Sequence, residues 1–409
     1  MQPEARSMAP LILSRYTVVS ALGKGLDETY RALRDRRSGL RPCDFEDVAI
    51  KTYIGRVEGL EDVPVGGPPS KGLAQFDCRN NRLALLGLQQ DGFASAALEA
   101  RERYGAHRVA VILGSSTSGI LETEHAYRHR DPATGALPAS YLTGHRYTHN
   151  MFSVAHFVRT YLGLRGPAMV ISTACSSSAK AFATAARFIE AGFCDAAVVC
   201  GVDSLCQTIL YGFASLELLA CGPCRPCDEE RDGLTLGESA GFALLEKSGR
   251  AGPPGAVALL GYGESSDGYH MSHPHPEGAG AIGAMQGALR RSGLQPGDID
   301  YINLHGTATR ANDGIEDKAV TSVFGPSTPC SSTKGWTGHT LGAAGITEAV
   351  IAALCLTRSF VPGTLNTTRV DSSLRSHVLL ESQEQPVRRV LSNIFGFGGN
   401  NCSVILGLF

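Results

Sequence analysis

The stretch Ala168-Met-Val-Ile-Ser-Thr-Ala-Cys-Ser-Ser-Ser-Ala-Lys-Ala-Phe-Ala-Thr-Ala-Ala-Arg-Phe-Ile-Glu190 decides how the rest of this chain is read. Its first part, Ala168–Ser172, is a short β-rich run of the kind that forms a strand buried on both faces. Its second part, over 176–191, is alanine-rich and apolar nearly all round, the pattern of a buried helix. Cys175 falls at the junction. A thiol beside a helix N-terminus feels the positive end of the peptide dipoles, which favours thiolate, and the small serines leave room for a substrate. This pattern makes Cys175 a candidate nucleophile. The competing reading, a buried structural cysteine, describes most of the 12 cysteines in the chain.

Working outward, the same alternation recurs. Strands are expected at 109–113, 196–200, 242–246, 301–304, 378–381 and 402–406, and helices at 278–292, 312–324 and 341–357. Such alternation points to an α/β protein with layered sheets. The segment Ser331-Ser-Thr-Lys-Gly-Trp-Thr-Gly338 also leads from a strand through small residues into an alanine-rich helix. Two strand–turn–helix units hint at an internal duplication. Ser248-Gly-Arg-Ala-Gly-Pro-Pro-Gly255 is the clearest linker. It divides the chain into 1–250, holding the cysteine, and 251–409. Residues 54–72, rich in Gly, Pro and Val, read as a surface excursion. Met1–Ser7 reads as a polar leader, with Met8 as the working start and a first strand beginning in 9–14.

Composition narrows the classes. The 409 residues are 43% hydrophobic, and 37 basic side chains against 39 acidic ones leave a formal charge of −2. So balanced a chain is neither disordered nor a sequence-independent nucleic-acid binder. Its apolar runs, such as Val109–Leu113, fall far short of the roughly 18 residues of a membrane span, and no signal peptide is expected. Twelve cysteines scattered without secretory features imply reduced thiols in a cytoplasmic protein.

Two histidines accompany the cysteine. His305 follows the strand 301–304, and His339 lies in the small-residue segment of the second unit, both at strand ends where catalytic groups of α/β folds collect. A lone histidine is more often a satisfied core or surface residue. A cysteine with two histidines in such turns is a set able to handle a thioester.

At these residues the chain resembles the elongating β-ketoacyl-acyl-carrier-protein synthases of fatty acid and polyketide synthesis. The resemblance rests on Thr173-Ala-Cys-Ser-Ser-Ser178, on His305-Gly-Thr-Ala-Thr309 followed by Asn312-Asp313, on Ser331–Gly345, and on Ser392-Asn-Ile-Phe-Gly-Phe-Gly-Gly399. Four motifs in order cover essentially the whole chain. The resemblance implies a thiolase fold: two pseudo-symmetric halves in five layers of helices and sheets, paired as a homodimer or with a synthase-like partner. It implies an acyltransferase that condenses a cysteine-bound acyl chain with a malonyl unit on acyl carrier protein, without metal or redox cofactor. Cys175 matches the nucleophile, His305 and His339 the histidine pair, and Lys334 and Glu348 the charged residues beside it. Phe397, with Phe395, matches the gate; the amides of Cys175 and Phe397 match the oxyanion hole. Thr307 and Thr309 match the threonines that contact the pantetheine arm.

Some positions depart from the common pattern. Ile394 and Asn400 replace a serine and a threonine around the last glycine motif. Segments 74–83, 201–206 and 211–217 look more like synthases of bacterial aryl-polyene clusters than housekeeping enzymes. Priming synthases have Asn where His339 stands, and thiolases carry a cysteine near the place of Phe397, so the elongating class fits better. A non-catalytic partner subunit is disfavoured by Cys175. Cys221, Cys224 and Cys227 resemble a metal knuckle but lack a fourth ligand at useful spacing. His270, His273 and His275 read as a rigid surface turn, and Asp228–Glu230 as a solvated charge cluster.

Overall fold

The computed structural model describes residues 7–68, 70–247 and 254–409. Most of the proposed leader and most of the linker therefore lie outside the described residues. Met8 is inside them, its amide donating to the Arg291 carbonyl at 2.7 Å.

A 12-stranded sheet system carries the duplication. In chain order the first repeat contributes Leu11–Ser20, Val109–Gly114, Ala168–Ile171, Ala196–Asp203 and Ser239–Lys247. The second contributes Val257–Ser266, Tyr301–Asn303, Pro329–Ser331, Arg389–Gly396 and Asn400–Leu408. From the centre outward, both run first, fifth, fourth, second, third. In both, the first three are antiparallel neighbours and the last three parallel ones. The repeats join through their first strands, where Leu11 faces Leu259 and Ile12 faces Ala258.

Each third strand feeds a central helix, Ser177–Glu190 in one repeat and Ala344–Arg358 in the other. The two helices pack on each other and on the strands of both repeats. Helices Arg79–Leu88 and Ser153–Tyr161 cover the outer face of the first repeat, and Ala279–Ser292 covers that of the second. The result is five layers. Strand patterns follow from it: Ala110 and Ile112 enter the central core, whereas Val109, Val111 and Leu113 enter the outer one. Strands buried on both faces read as unbroken apolar runs, which is why the sequence shows them. Gly114 lets the central helix sink onto its strand, since a Cβ there would meet the Ser178 nitrogen at 2.2 Å.

Several expectations need correction. The expected 378–381 strand shrinks to His377–Val378, which shares only Val378 with it and pairs with Pro329–Cys330. The 54–72 segment is not a surface excursion: Ile54, Val57 and Leu60 are fully buried, and Tyr53–Gly55 pairs with Leu40–Pro42 and Leu236–Gly237. Its Gly and Pro content reflects irregular backbone, not exposure. Two long strands were not read from the sequence, Val257–Ser266 and Arg389–Gly396. Gly261 and Gly263 interrupt the first one's apolar run because helix Ala279–Ser292 presses there; a Cβ on Gly263 would meet the Ala284 carbonyl oxygen at 1.8 Å. Finally, Leu341–Arg358 is long and apolar enough to cross a membrane, yet it is 89% buried, as a core helix must be.

Candidate active site

The turn after Ala168–Ile171 is held by neutral hydroxyls. Ser177 Oγ accepts the Thr173 N–H at 2.9 Å and donates to the Ala174 carbonyl at 2.5 Å, and Ser176 Oγ donates to the Thr173 carbonyl. Ala174 is left-handed, φ 52°, a costly conformation for a residue with a Cβ. The bend leaves Cys175 just ahead of the helix that begins at Ser177, with its side chain buried.

His339 reaches this sulfur from the other repeat, its Nε2 lying 3.0 Å from Cys175 Sγ. Its Nδ1 accepts the Leu341 N–H at 3.2 Å, which assigns the ring hydrogen to Nε2. Its backbone is clamped between Thr235 and Gly237 of the first repeat. The His305 ring stands edge-on to His339, 5.4 Å between centroids, and also packs against Phe395. Burial, together with the nearby Lys334 charge, holds both imidazoles well below the usual histidine range, so both are neutral. Lys334 Nζ donates to Glu348 Oε1 at 2.6 Å, and both side chains are buried. Burial raises the Glu348 carboxyl to about 7 against the pull of the lysine.

The expected thiolate is corrected. Burial pushes the Cys175 thiol up to about 11, while Lys334 and the amides of Phe397 and Cys175 itself pull it down. Desolvation outweighs the helix end, so the resting sulfur is a thiol. The same two amides are nevertheless aimed at the sulfur, where an oxyanion hole was expected. The Phe397 ring stacks on Phe213, centroids 5.6 Å apart, and the Gly398 N–H donates to the Met271 carbonyl.

Cys175, His305 and His339 line a cavity of about 350 Å³ that also meets Thr307, Thr309, Phe395 and Phe397. The two threonine hydroxyls are bonded to each other at 2.9 Å. Every expected site residue except Lys334 and Glu348 lines this cavity; those two sit behind it. The departures find local reasons: Ile394 packs in the central core, and Asn400 Oδ1 accepts Lys180 Nζ.

Two buried carboxylates escaped the sequence reading. Glu316 accepts the His305 and Gly306 amides at 2.8 Å each and so fixes the first histidine's turn. Asp203, fully buried, accepts from the hydroxyls and amides of the 115–117 turn and from the Gly342 N–H at 2.6 Å. It thereby ties the first repeat to the His339 loop. An acid ending the apolar strand Ala196–Asp203 was the available signal.

The remaining motifs have other duties. The Cys224 thiol faces the Lys334 carbonyl, Cys227 is buried with its amide on Asp313, and Cys221 is exposed. His270 and His273 touch each other on the surface at 3.2 Å. Asp228 is not solvated: it is buried and accepts the amides of Thr368, Arg369 and Glu230.

Comparison with known proteins agrees with this geometry. The β-ketoacyl synthase N-terminal domain model matches residues 16–251 and the C-terminal domain model residues 256–368. A mitochondrial 3-oxoacyl-acyl-carrier-protein synthase of Arabidopsis thaliana is 32% identical over 97% of this chain and 92% of its own length. A 3-oxoacyl-acyl-carrier-protein synthase 2 of Rhizobium meliloti is 38% identical over 72% of this chain and 73% of its own. Among solved structures, the ketosynthase ApeO in complex with its chain length factor ApeC, from Xenorhabdus doucetiae, superposes with a TM-score of 0.87 at 38% identity, covering 98% of both chains. With both domain models matched, a duplicated fold in common and a Cys–His–His cavity at the junction of the repeats, the chain belongs to the β-ketoacyl synthase family of condensing acyltransferases.

Proposed function

We propose that the chain catalyses decarboxylative condensation of a Cys175-bound acyl group with malonyl-acyl-carrier protein. The observation that carries the role assignment is the approach of His339 Nε2 to Cys175 Sγ at the closed end of the cavity. In the first step the sulfur attacks the acyl thioester, a new C–S bond forms, and the carrier thiol leaves with the cysteine proton. The amides of Cys175 and Phe397 hold the oxyanion. Malonyl carrier then enters past Phe397, its pantetheine arm beside Thr307 and Thr309. Loss of carbon dioxide leaves an enolate whose oxygen receives hydrogen bonds from His339 and His305. The enolate carbon attacks the acyl-Cys175 thioester, the cysteine sulfur leaves as thiolate, and a proton from solvent returns it to the resting thiol. Neutral imidazoles suit this task, because they donate without first giving up a proton. Lys334 and Glu348 place their charges behind the histidines. With one solvent proton taken up for each carbon dioxide released the steps balance, and we route none through a metal or redox cofactor.

Two further assignments belong to this reading. The third strand of the first repeat, Ala168–Ile171, is apolar, half-buried and at the sheet edge. Such an edge invites pairing with another chain, and ApeO was solved with a chain length factor. We therefore assign this edge to a second subunit, either a copy or a synthase-like partner, and the pathway to the aryl-polyene type that segments 74–83, 201–206 and 211–217 resemble. All 12 cysteines are free, which suits a reducing cytoplasm. Light scattering that shows a fully active monomer would refute the subunit assignment.

The central test compares two variants. Cys175→Ala takes up no acyl group by intact-protein mass spectrometry but still releases carbon dioxide from malonyl carrier. His339→Ala is still acylated on Cys175, while condensation falls by about 10²–10³, the loss seen when one oxyanion donor is removed. An acyl adduct on Cys175→Ala, or wild-type condensation by His339→Ala, would sink the assignment.

A further inference from the structure

The floor of the cavity is buried, but its wall runs out to Arg310, an exposed residue directly after Thr309 at the start of helix Arg310–Phe324. Setting the imidazoles aside, only two lining side chains are charged, Asp267 and Arg310. Asp267 is already engaged, accepting the His275 N–H and the Asn401 amide. Arg310 is not neutralised in this way. One guanidinium nitrogen, Nη2, donates to the Glu229 carbonyl at 3.0 Å, and the Glu229 carboxylate is itself paired with Arg369. Among the described residues no carboxylate pairs with Arg310. Arg310 also borders a neighbouring surface groove lined by Lys318 and Arg375 together with Glu277 and Asp317, the last of which is engaged by the Arg375 and Ser376 amides.

A substrate that delivers its thioester to Cys175 through this cavity must run neutral amides past Thr307 and Thr309. The first anion it meets on the way out is the phosphodiester that ends the pantetheine arm. A planar guanidinium binds such a group through two parallel hydrogen bonds, and the helix start behind it has the same favourable sign. We propose that Arg310 is the phosphate anchor of the arm, a specificity residue that separates phosphopantetheine thioesters from phosphate-free ones. The inference rests on the condensing activity assigned above and goes beyond it by naming what is recognised at the mouth.

The test uses four malonyl donors with the intact protein: malonyl carrier, malonyl-phosphopantetheine, malonyl-coenzyme A and malonyl-pantetheine. In R310A the ratio of kcat/KM for malonyl-phosphopantetheine to that for malonyl-pantetheine falls about tenfold, mostly through KM, as loss of a charge-assisted contact requires. Malonyl carrier shows the same fall, and R310K restores part of it. An unchanged ratio overturns the proposal, and so does a fall confined to malonyl-coenzyme A, which would assign Arg310 to the nucleotide. Turnover of malonyl-pantetheine by the wild type keeps the two readings apart. If the wild type uses none of the four donors, the condensing activity itself is refuted and the anchor with it. Circular dichroism of this exposed-site variant checks that it is folded.

Discussion

The two strand–turn–helix units occupy the same place in their repeats but are braced by different chemistry. Each turn carries one left-handed non-glycine residue, Ala174 and Leu341, but the Cys175 turn is fixed by uncharged serine hydroxyls. The His339 turn is fixed by ions: the Lys334–Glu348 pair behind it and the Asp203 carboxylate on Gly342. The difference follows from what each turn must do. A sulfur that becomes acylated and then free again needs surroundings that need not rearrange when its charge changes. An imidazole that must keep one tautomer and one direction gains from strong, fixed electrostatic partners.

The largest expected effect breaks the ionic side. Lys334→Met takes away the charge that holds the buried Glu348 carboxyl down, forces it to take up a proton on folding at pH 7, and costs about 3–5 kcal/mol in urea unfolding, of which Lys334→Met/Glu348→Gln recovers most. Wild-type stability of the single variant would mean the pair does not brace the turn. Next, Asp203→Ala strips several buried donors of their acceptor and costs about 2–3 kcal/mol. It also slows condensation more than Cys175 acylation, because its partners lie in the 115–117 turn and the histidine loop and not in the Cys175 turn; equal losses in both would merge the two turns into one mechanical unit.

A smaller effect reads the sulfur. With its thiol raised to about 11, the free enzyme reacts with iodoacetamide at a rate that climbs steadily from pH 7 to 10. A plateau near pH 8 would show a thiolate at rest. The sign is fixed by burial, and replacing Lys334 moves the profile further up because its positive charge favours thiolate. Smallest is Ser177→Ala, which removes the neutral bonds to the Thr173 N–H and the Ala174 carbonyl and costs about 0.5–1.5 kcal/mol, measured by the same unfolding curve.

The reacting residues were legible because they sit in short contiguous motifs at strand ends, where local spacing carries information. So was the duplication, since buried parallel strands announce themselves as apolar runs. Glu316 and Asp203 were not legible, because what makes them matter is the arrival of amides from distant turns. Val257–Ser266 hid behind glycines that admit a helix, and Asp228 looked solvated because two of its three amide partners lie about 140 positions away. The resting state of Cys175 was misread for a related reason. A helix end is visible in the sequence, whereas the degree of desolvation belongs to the assembled layers.

The sulfur and its histidine stand 164 positions apart, and Phe397 is further still. During synthesis the chain emerges N-terminus first, and domains tend to fold in that order. A nascent protein that has completed only its first repeat therefore holds the cysteine but neither imidazole, no Phe397 amide and no Lys334. It lacks the groups that would turn a thioester over. Competence arrives in one step, when the last hairpin, Arg389–Leu408, closes beside the opening strand of its own repeat.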